Sequence, residues 1–163
     1  MNIEILQPKP FDLVGNPILI AGNAVGFESH LTSNISDGHD EVVASATAGS
    51  TSIRQFQASV TIPTAVAFTL SRLFVTITDD SGGGDDVTPP SVTIPVIYGP
   101  MLLTGFGGYW LHTVARGESL SALARRYYGN ASRYPIIQEA NQHVVADANL
   151  VFPGQVLRIP REL

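Results

Sequence analysis

The sequence predicts an α+β protein of two domains, an all-β sandwich followed by a small β-α-α-β unit. Three observations carry this expectation. Apolar residues recur with period two over the first hundred positions, and the period changes to that of a helix at 120–127. The charge balance reverses between the two parts: residues 1–108 hold three basic and ten acidic side chains, residues 109–163 six and four. A chain of 163 residues suits one ordinary domain or two small ones.

The first module reads as strands at 3–6, 18–24, 42–46 and around the segments described next. Phe27, Leu31 and Ile35 share one parity, and Phe56, Ala58, Val60 and Ile62 alternate with Gln57, Ser59 and Thr61, as in half-buried strands. Leu73, Val75 and Ile77 pair naturally with Val92, Ile94 and Val96 across the hairpin tip Asp79-Asp80-Ser81-Gly82-Gly83-Gly84-Asp85-Asp86. About seven short strands with no helical period between them predict an immunoglobulin-like β-sandwich over residues 1–98.

Glycine and proline punctuate both ends of 99–108, whose middle, Met101-Leu102-Leu103, is apolar. This stretch is read as a linker that packs on something, unlike a solvated tether. From 109 the pattern changes. Leu120, Leu123, Ala124 and Tyr127 make a helical stripe, with Ser119 as N-cap and Gly129 past the C-terminus. A second helix is expected over 132–141, where Pro135 fits the first turn and Ile136, Ile137 and Ala140 give the apolar face. Strands at 110–114 and 156–160 complete the β-α-α-β order of a domain at 109–163.

Several classes of function are excluded by composition. Charged residues are 14% of the chain and the net charge is −5, so no global basic excess exists to neutralise phosphates, and nucleic acid is not expected as a partner. There is no cysteine, which removes disulfides, thiol nucleophiles and Cys-ligated metals. No run approaches the roughly 18 apolar residues of a membrane-spanning helix. The first residues lack a basic n-region and apolar run, so a chain whose native start is Met1 is expected in the cytoplasm unless a dedicated machine exports it.

Candidate chemistry is sparse. Asp79, Asp80, Asp85 and Asp86 offer hard oxygen ligands, but without EF-hand spacing, and the three glycines favour a solvated tip; no metal is expected. His30, His39, His112 and His143 form no i, i+4 pair, and Asp37, Asp40 and Glu41 beside His39 have the composition of a turn, so no catalytic residue is assigned and no cofactor is called for. Tyr109, Tyr127, Tyr128 and Tyr134 read as core and edge aromatics, and Trp110, beside the linker, as an interface anchor. Arg125, Arg126 and Arg133 give a small basic face that suits a solvated surface or head-to-tail assembly against the acidic first module.

The spaced motifs His112-Thr113-Val114-Ala115-Arg116-Gly117-Glu118-Ser119-Leu120, Tyr128-Gly129-Asn130, Glu139-Ala140-Asn141 and Phe152-Pro153-Gly154-Gln155-Val156-Leu157-Arg158-Ile159-Pro160 resemble the LysM domain from end to end. The chain departs from that pattern at His112, where Tyr is usual, at Glu118-Ser119, where Asp-Thr is usual, and at Tyr134, where Trp is usual. The resemblance implies binding of N-acetylglucosamine-containing glycans, peptidoglycan or chitin, between the loop before the first helix and the loop before the last strand. Carried over, that groove comprises Gly117, Glu118, Ser119 and Leu120 on one side and Leu150, Val151, Phe152 and Pro153 on the other.

The details around Tyr128-Gly129-Asn130-Ala131-Ser132-Arg133-Tyr134 are similar to LysM domains of cytoplasmic proteins, among them a potassium-binding bacterial family and small proteins of phage tails and phage-tail-like contractile injection systems. The first module, with Asn16-Pro17-Ile18-Leu19-Ile20-Ala21-Gly22-Asn23-Ala24, resembles the immunoglobulin-like domain found beside bacterial spore-germination proteins. Together these resemblances imply a non-enzymatic adaptor of a contractile particle, at the baseplate or inner tube, with other tail structural proteins as partners. The alternative is a glycan-binding module of the cell wall.

Overall fold

The computed structural model describes residues 2–25, 30–47, 54–80 and 88–163. It divides into two compact units, Met1–Val96 and Ile97–Leu163.

The first unit is built from two sheets. One holds three antiparallel strands in the order β1 (Asn2–Gln7), β3 (Ile18–Val25), β6 (Arg54–Val60). The other holds β2 (Leu13–Val14), β8 (Ser91–Tyr98), β7 (Arg72–Asp79), β4 (His30–Ser36) and β5 (Glu41–Thr47), in that spatial order. Each sheet buries one face, because alternate side chains point to opposite sides. Ile18, Ile20 and Phe56 are buried in the smaller sheet, Leu31, Ile35, Leu73, Val75 and Ile77 in the larger. Among the described residues the period-two segments therefore form strands, with Ile62 past the end of β6, and the two-residue β2 had no pattern to reveal it.

Two polar features set the loops. Asn16 extends the β3–β6 ladder with its side chain, donating to the Ile62 carbonyl and accepting from the Ile62 N–H, both at 3.0 Å. Asp37 is buried and accepts N–H bonds from His39 and Asp40 at 2.9 Å, from Thr69 at 2.7 Å, and the Thr69 hydroxyl at 2.9 Å. These donors, the backbone N–H of Asp40 foremost, hold its carboxyl far below the usual range. The Asp-rich stretch singled out in the sequence is thus a turn pinned by one carboxylate.

Asp79, expected at a solvated hairpin tip, instead ends β7 and is buried, while Asp80 accepts from the Thr32 hydroxyl. Asp80 directly follows β7 and turns its side chain back on β4. Phe27, Asp85 and Asp86 lie outside the described residues.

In the second unit, residues 99–108 hold a single helical turn, α1 (Gly99–Leu102), a buried Leu103 and the start of β9 (Phe106–Thr113). Gly99 meets the Phe106 ring so closely that a Cβ there would lie 2.6 Å from it. Next come α2 (Leu120–Tyr128), a 3-10 turn at Ala131–Arg133, α3 (Tyr134–Ala140) and β10 (Val156–Glu162), antiparallel to β9. Leu120 and Leu123 of α2 pack with Val114, Ile137, Leu157 and Ile159. Burying each such side chain contributes roughly 1.5–3 kcal/mol.

Asn141, itself buried, fastens α3 to β10. Its amide donates to the carbonyls of Ile137 and Arg158 at 2.7 Å and accepts from the Arg158 N–H at 2.8 Å.

Candidate functional site

Helix α2 organises the second unit's surface, and its two ends differ. At the N-terminal end, Ala115-Arg116-Gly117-Glu118 forms a turn closed by the Glu118 N–H on the Ala115 carbonyl at 3.2 Å, with Gly117 at φ +85°, a value that favours glycine. Ser119 follows as the N-cap and accepts from the Ala122 N–H at 3.3 Å. A cavity of about 280 Å³ opens here, lined by Ser119, Leu120, Ser121, Tyr134, Ala148 and Asn149. Its lining is uncharged, with hydroxyls and one amide for polar contacts and a partly exposed tyrosine ring.

The loop carrying Asn149 is held by its own side chains. The Asn149 N–H donates to Asp147 Oδ1 at 2.9 Å, and Gln155 closes the following turn by accepting from the Phe152 N–H at 3.1 Å while donating to the Val144 carbonyl. The Gly154 N–H and the Val114 carbonyl pair at 2.8 Å, tying this loop to the end of β9.

Of the residues expected at a groove, the structure places Ser119 and Leu120 at this cavity. Leu120 is only 1% exposed, so its side chain belongs to the core and cannot cover a sugar. Gly117 shapes the turn. Glu118 is engaged within the protein: one oxygen accepts from the Ala115 N–H at 2.9 Å and meets His112 Nε2 at 2.7 Å, the other pairs with Arg126 at 2.9 Å. The Ala115 N–H, then His112, holds the Glu118 carboxyl below its usual range. Val151 packs on the core, whereas Leu150, Phe152 and Pro153 are exposed outside the cavity lining. Ser121, Tyr134, Ala148 and Asn149 join the site by tertiary packing, which sequence spacing does not display.

At the C-terminal end of α2, Gly129 takes φ +69° and closes the helix on the Arg125 carbonyl. A second cavity, of about 300 Å³, lies here, lined by Trp110, Tyr127, Tyr128, Arg133, Arg161 and Glu162 together with Leu103. Trp110 stacks on Tyr127 at 5.5 Å between centroids. Arg161 lies over Trp110 at 5.8 Å and Arg133 over Tyr128 at 4.9 Å. Burial pushes the Tyr128 phenol up, keeping it a hydrogen donor to the Pro160 carbonyl at 3.0 Å. Trp110, expected as an interface anchor, is 44% exposed at this cavity.

The two ends are connected through the protein. His112 sits between Glu118 and the Tyr127 hydroxyl, which is 3.0 Å from Nδ1, and Tyr127 in turn carries Trp110. Among the described residues no group of three or more His, Asp or Glu is arranged to hold a metal ion, and no helix is long and apolar enough to cross a membrane.

Known proteins share both halves of this architecture. Residues 2–84 match the model of the immunoglobulin-like domain of bacterial spore germination. The chain belongs to that family. Residues 112–160 match the LysM domain, the stretch that contains α2, both helix ends, the whole lining of the first cavity and Tyr127, Tyr128 and Arg133 of the second. Over 51 residues the chain is 47% identical to the potassium binding protein Kbp of Escherichia coli O6:H1, covering 31% of this chain and 34% of that one. Over 48 residues it is 50% identical to Esterase Rv1288 of Mycobacterium tuberculosis H37Rv, covering 29% of this chain and 10% of the esterase. The chain thus spans about a third or less of these relatives. An engineered protein of known crystal structure aligns at 15% identity and a TM-score of 0.40, over 60% of this chain and 20% of its own, too low a likeness to carry an argument. Both matched families are typically non-catalytic binding modules, and the esterase shares only a short fragment.

Proposed function

We propose that this chain is a non-catalytic glycan-binding protein whose LysM unit holds an N-acetylglucosamine-containing wall polymer, peptidoglycan or a chitin-like chain, at the N-terminal end of α2. The LysM match over residues 112–160, with an uncharged cavity at that end, carries the reading. Ser119, Ser121 and Asn149 suit hydrogen bonds to hydroxyl and acetamide groups, and the Tyr134 ring suits the apolar face of a sugar. The shallow site suits weak contacts multiplied along a polymer. The immunoglobulin-like unit then serves as a spacer or a second interaction surface.

Sedimentation with insoluble peptidoglycan and chitin tests this. Saturable binding is expected, with a loss of about tenfold, near 1.4 kcal/mol, when Ser121→Trp fills the cavity. Failure of the wild-type chain to bind either polymer overturns the reading. The same reading places the protein where wall is accessible, so cell fractionation weighs it against the cytoplasmic location expected from the first residues.

A second reading, an assembly adaptor of a phage-tail-like contractile particle, is favoured by the exposed outer face of the two-stranded β9–β10 sheet, where Leu111 is 67% and Val156 52% exposed. Its test is co-purification with tube and baseplate proteins; a chain found free of any particle in its host counts against it.

A further inference from the structure

The cavity at the C-terminal end of α2 has a different chemistry from the groove, and the neutral N-acetyl unit leaves it unfilled. It brings two guanidinium groups to one small space, each laid on an aromatic ring. Such a platform fixes an arginine's plane before any ligand arrives, so less freedom is lost on binding. Among the described residues no carboxylate stands within 4.0 Å of the Arg161 guanidinium, and Arg133 has only Glu162, at 3.9 Å. Two positive groups against one negative leave the cavity one unit positive. That balance fits a single carboxylate, which the planar arginine fork matches in geometry, better than a phosphate dianion beside Glu162.

The site also adjoins the groove. Arg133 lines the arginine-bearing cavity and Tyr134, the next residue, lines the groove, their Cα atoms about 3.8 Å apart. Along α2 the two cavities are separated by the rise from Leu120 to Tyr128, about 12 Å. One short run of linked sugar rings reaches across such a distance. Trp110 and Tyr128 give the floor of the second cavity the apolar surface that a sugar ring prefers.

We infer that the Trp110–Arg133–Arg161 cavity is a second subsite, for a carboxylate-bearing sugar unit of the same glycan whose neutral N-acetyl unit occupies the groove. This deepens the glycan reading and rests on it: the protein distinguishes an acidic wall glycan from neutral chitin. Arg161 and Arg133 receive the carboxylate, and the aromatic floor receives the ring.

Trp110 is the single tryptophan of the chain and lines this cavity, so its emission reports on binding there. The full-length protein is titrated with N-acetylmuramic acid, N-acetylglucosamine and an acetylated Asp-Asp dipeptide while tryptophan emission is followed. Saturable change with the acidic sugar is expected, weakened about tenfold in Arg161→Gln and in Arg133→Gln, with little response to the neutral sugar. High salt weakens it further. In sedimentation, wild type favours peptidoglycan whose muramic carboxylates have been freed by amidase removal of the peptide stems over chitin, and R161Q levels the two while keeping chitin binding; an unchanged circular dichroism spectrum shows the variants are folded. A silent Trp110 with the acidic sugar, or an equal response to the neutral one, overturns the subsite. An equal or stronger response to the dipeptide overturns the glycan assignment in favour of an acidic protein segment. A response to the acidic sugar with no sedimentation on either polymer supports the subsite and overturns the wall reading, so the two failures are separable.

Discussion

The two ends of α2 present opposite chemistry within one small unit. The N-terminal end has an uncharged lining of serines, an asparagine, a tyrosine, a leucine and an alanine, and the carboxylates beside it, Glu118 and Asp147, are both engaged inside the protein. The C-terminal end gathers stacked aromatics and arginines with a single acid at the rim. The difference teaches that one helix, held by one core, can present a neutral sugar site and an anion site, because its caps leave different groups at each end. Ser119 spends its hydroxyl on a backbone N–H, whereas Gly129 ends the helix without a side chain and leaves the surface to neighbouring rings.

The largest effect is expected from removing the support common to both ends. Leu157→Ala empties a fully buried position beneath α2 and should destabilise the second unit by about 3 kcal/mol, read by urea unfolding followed through Trp110, with both ligand responses lost together. If one end keeps its response under conditions where the other has lost it, the ends do not share a core.

Smaller and more selective effects come from the caps. Ser119→Ala and Gly129→Ala should each cost about 1 kcal/mol, the first through a lost hydrogen bond and the second through a Cβ at φ +69°. Ser119→Ala should weaken glycan binding more than the Trp110 response to an acidic sugar, and Gly129→Ala the reverse; equal losses of both in both variants erase the distinction between the ends.

The smallest effect is in acid. Glu118 has a folded pKa below its unfolded value, so its stabilisation is complete above about pH 4.5 and is lost as the pH falls through the folded value. The thermal midpoint of the second unit should therefore fall on acidification below pH 4.5, and Glu118→Gln should flatten that part of the slope. Because His112 links Glu118 to Tyr127 and thence Trp110, tryptophan emission should shift over the same range. A slope unchanged in Glu118→Gln would remove the link between the two ends.

Much of the fold was legible because it is local. Alternation at Phe56, Ala58 and Val60 survives as one buried face of β6, and Leu120, Leu123 and Ala124 as the buried stripe of α2, with Ser119 and Gly129 at its caps. The site was less legible. A sugar groove drawn from loop positions counted Glu118 and Leu120 among its surface, yet the turn at Gly117 delivers the Glu118 carboxylate to His112 and Arg126, and the helix phase sends Leu120 into the core. Phe152 is exposed but outside the cavity, while Tyr134 and Asn149, far apart in sequence, meet at its walls.

By itself the sequence determined the longer strands, helices α2 and α3, where α2 begins and ends, and that thiol chemistry is absent, since all of these follow from the period and identity of neighbouring residues, whereas β2 and the single turn α1 left no such pattern. Only the tertiary structure decided which side chains face each other: the arginines over Trp110 and Tyr128, the buried carboxylate of Asp37 closing a turn, and the Asn141 amide joining α3 to β10. Such pairings join residues as many as 51 positions apart, as Trp110 and Arg161 are, and nothing in local periodicity encodes the path that brings them into contact.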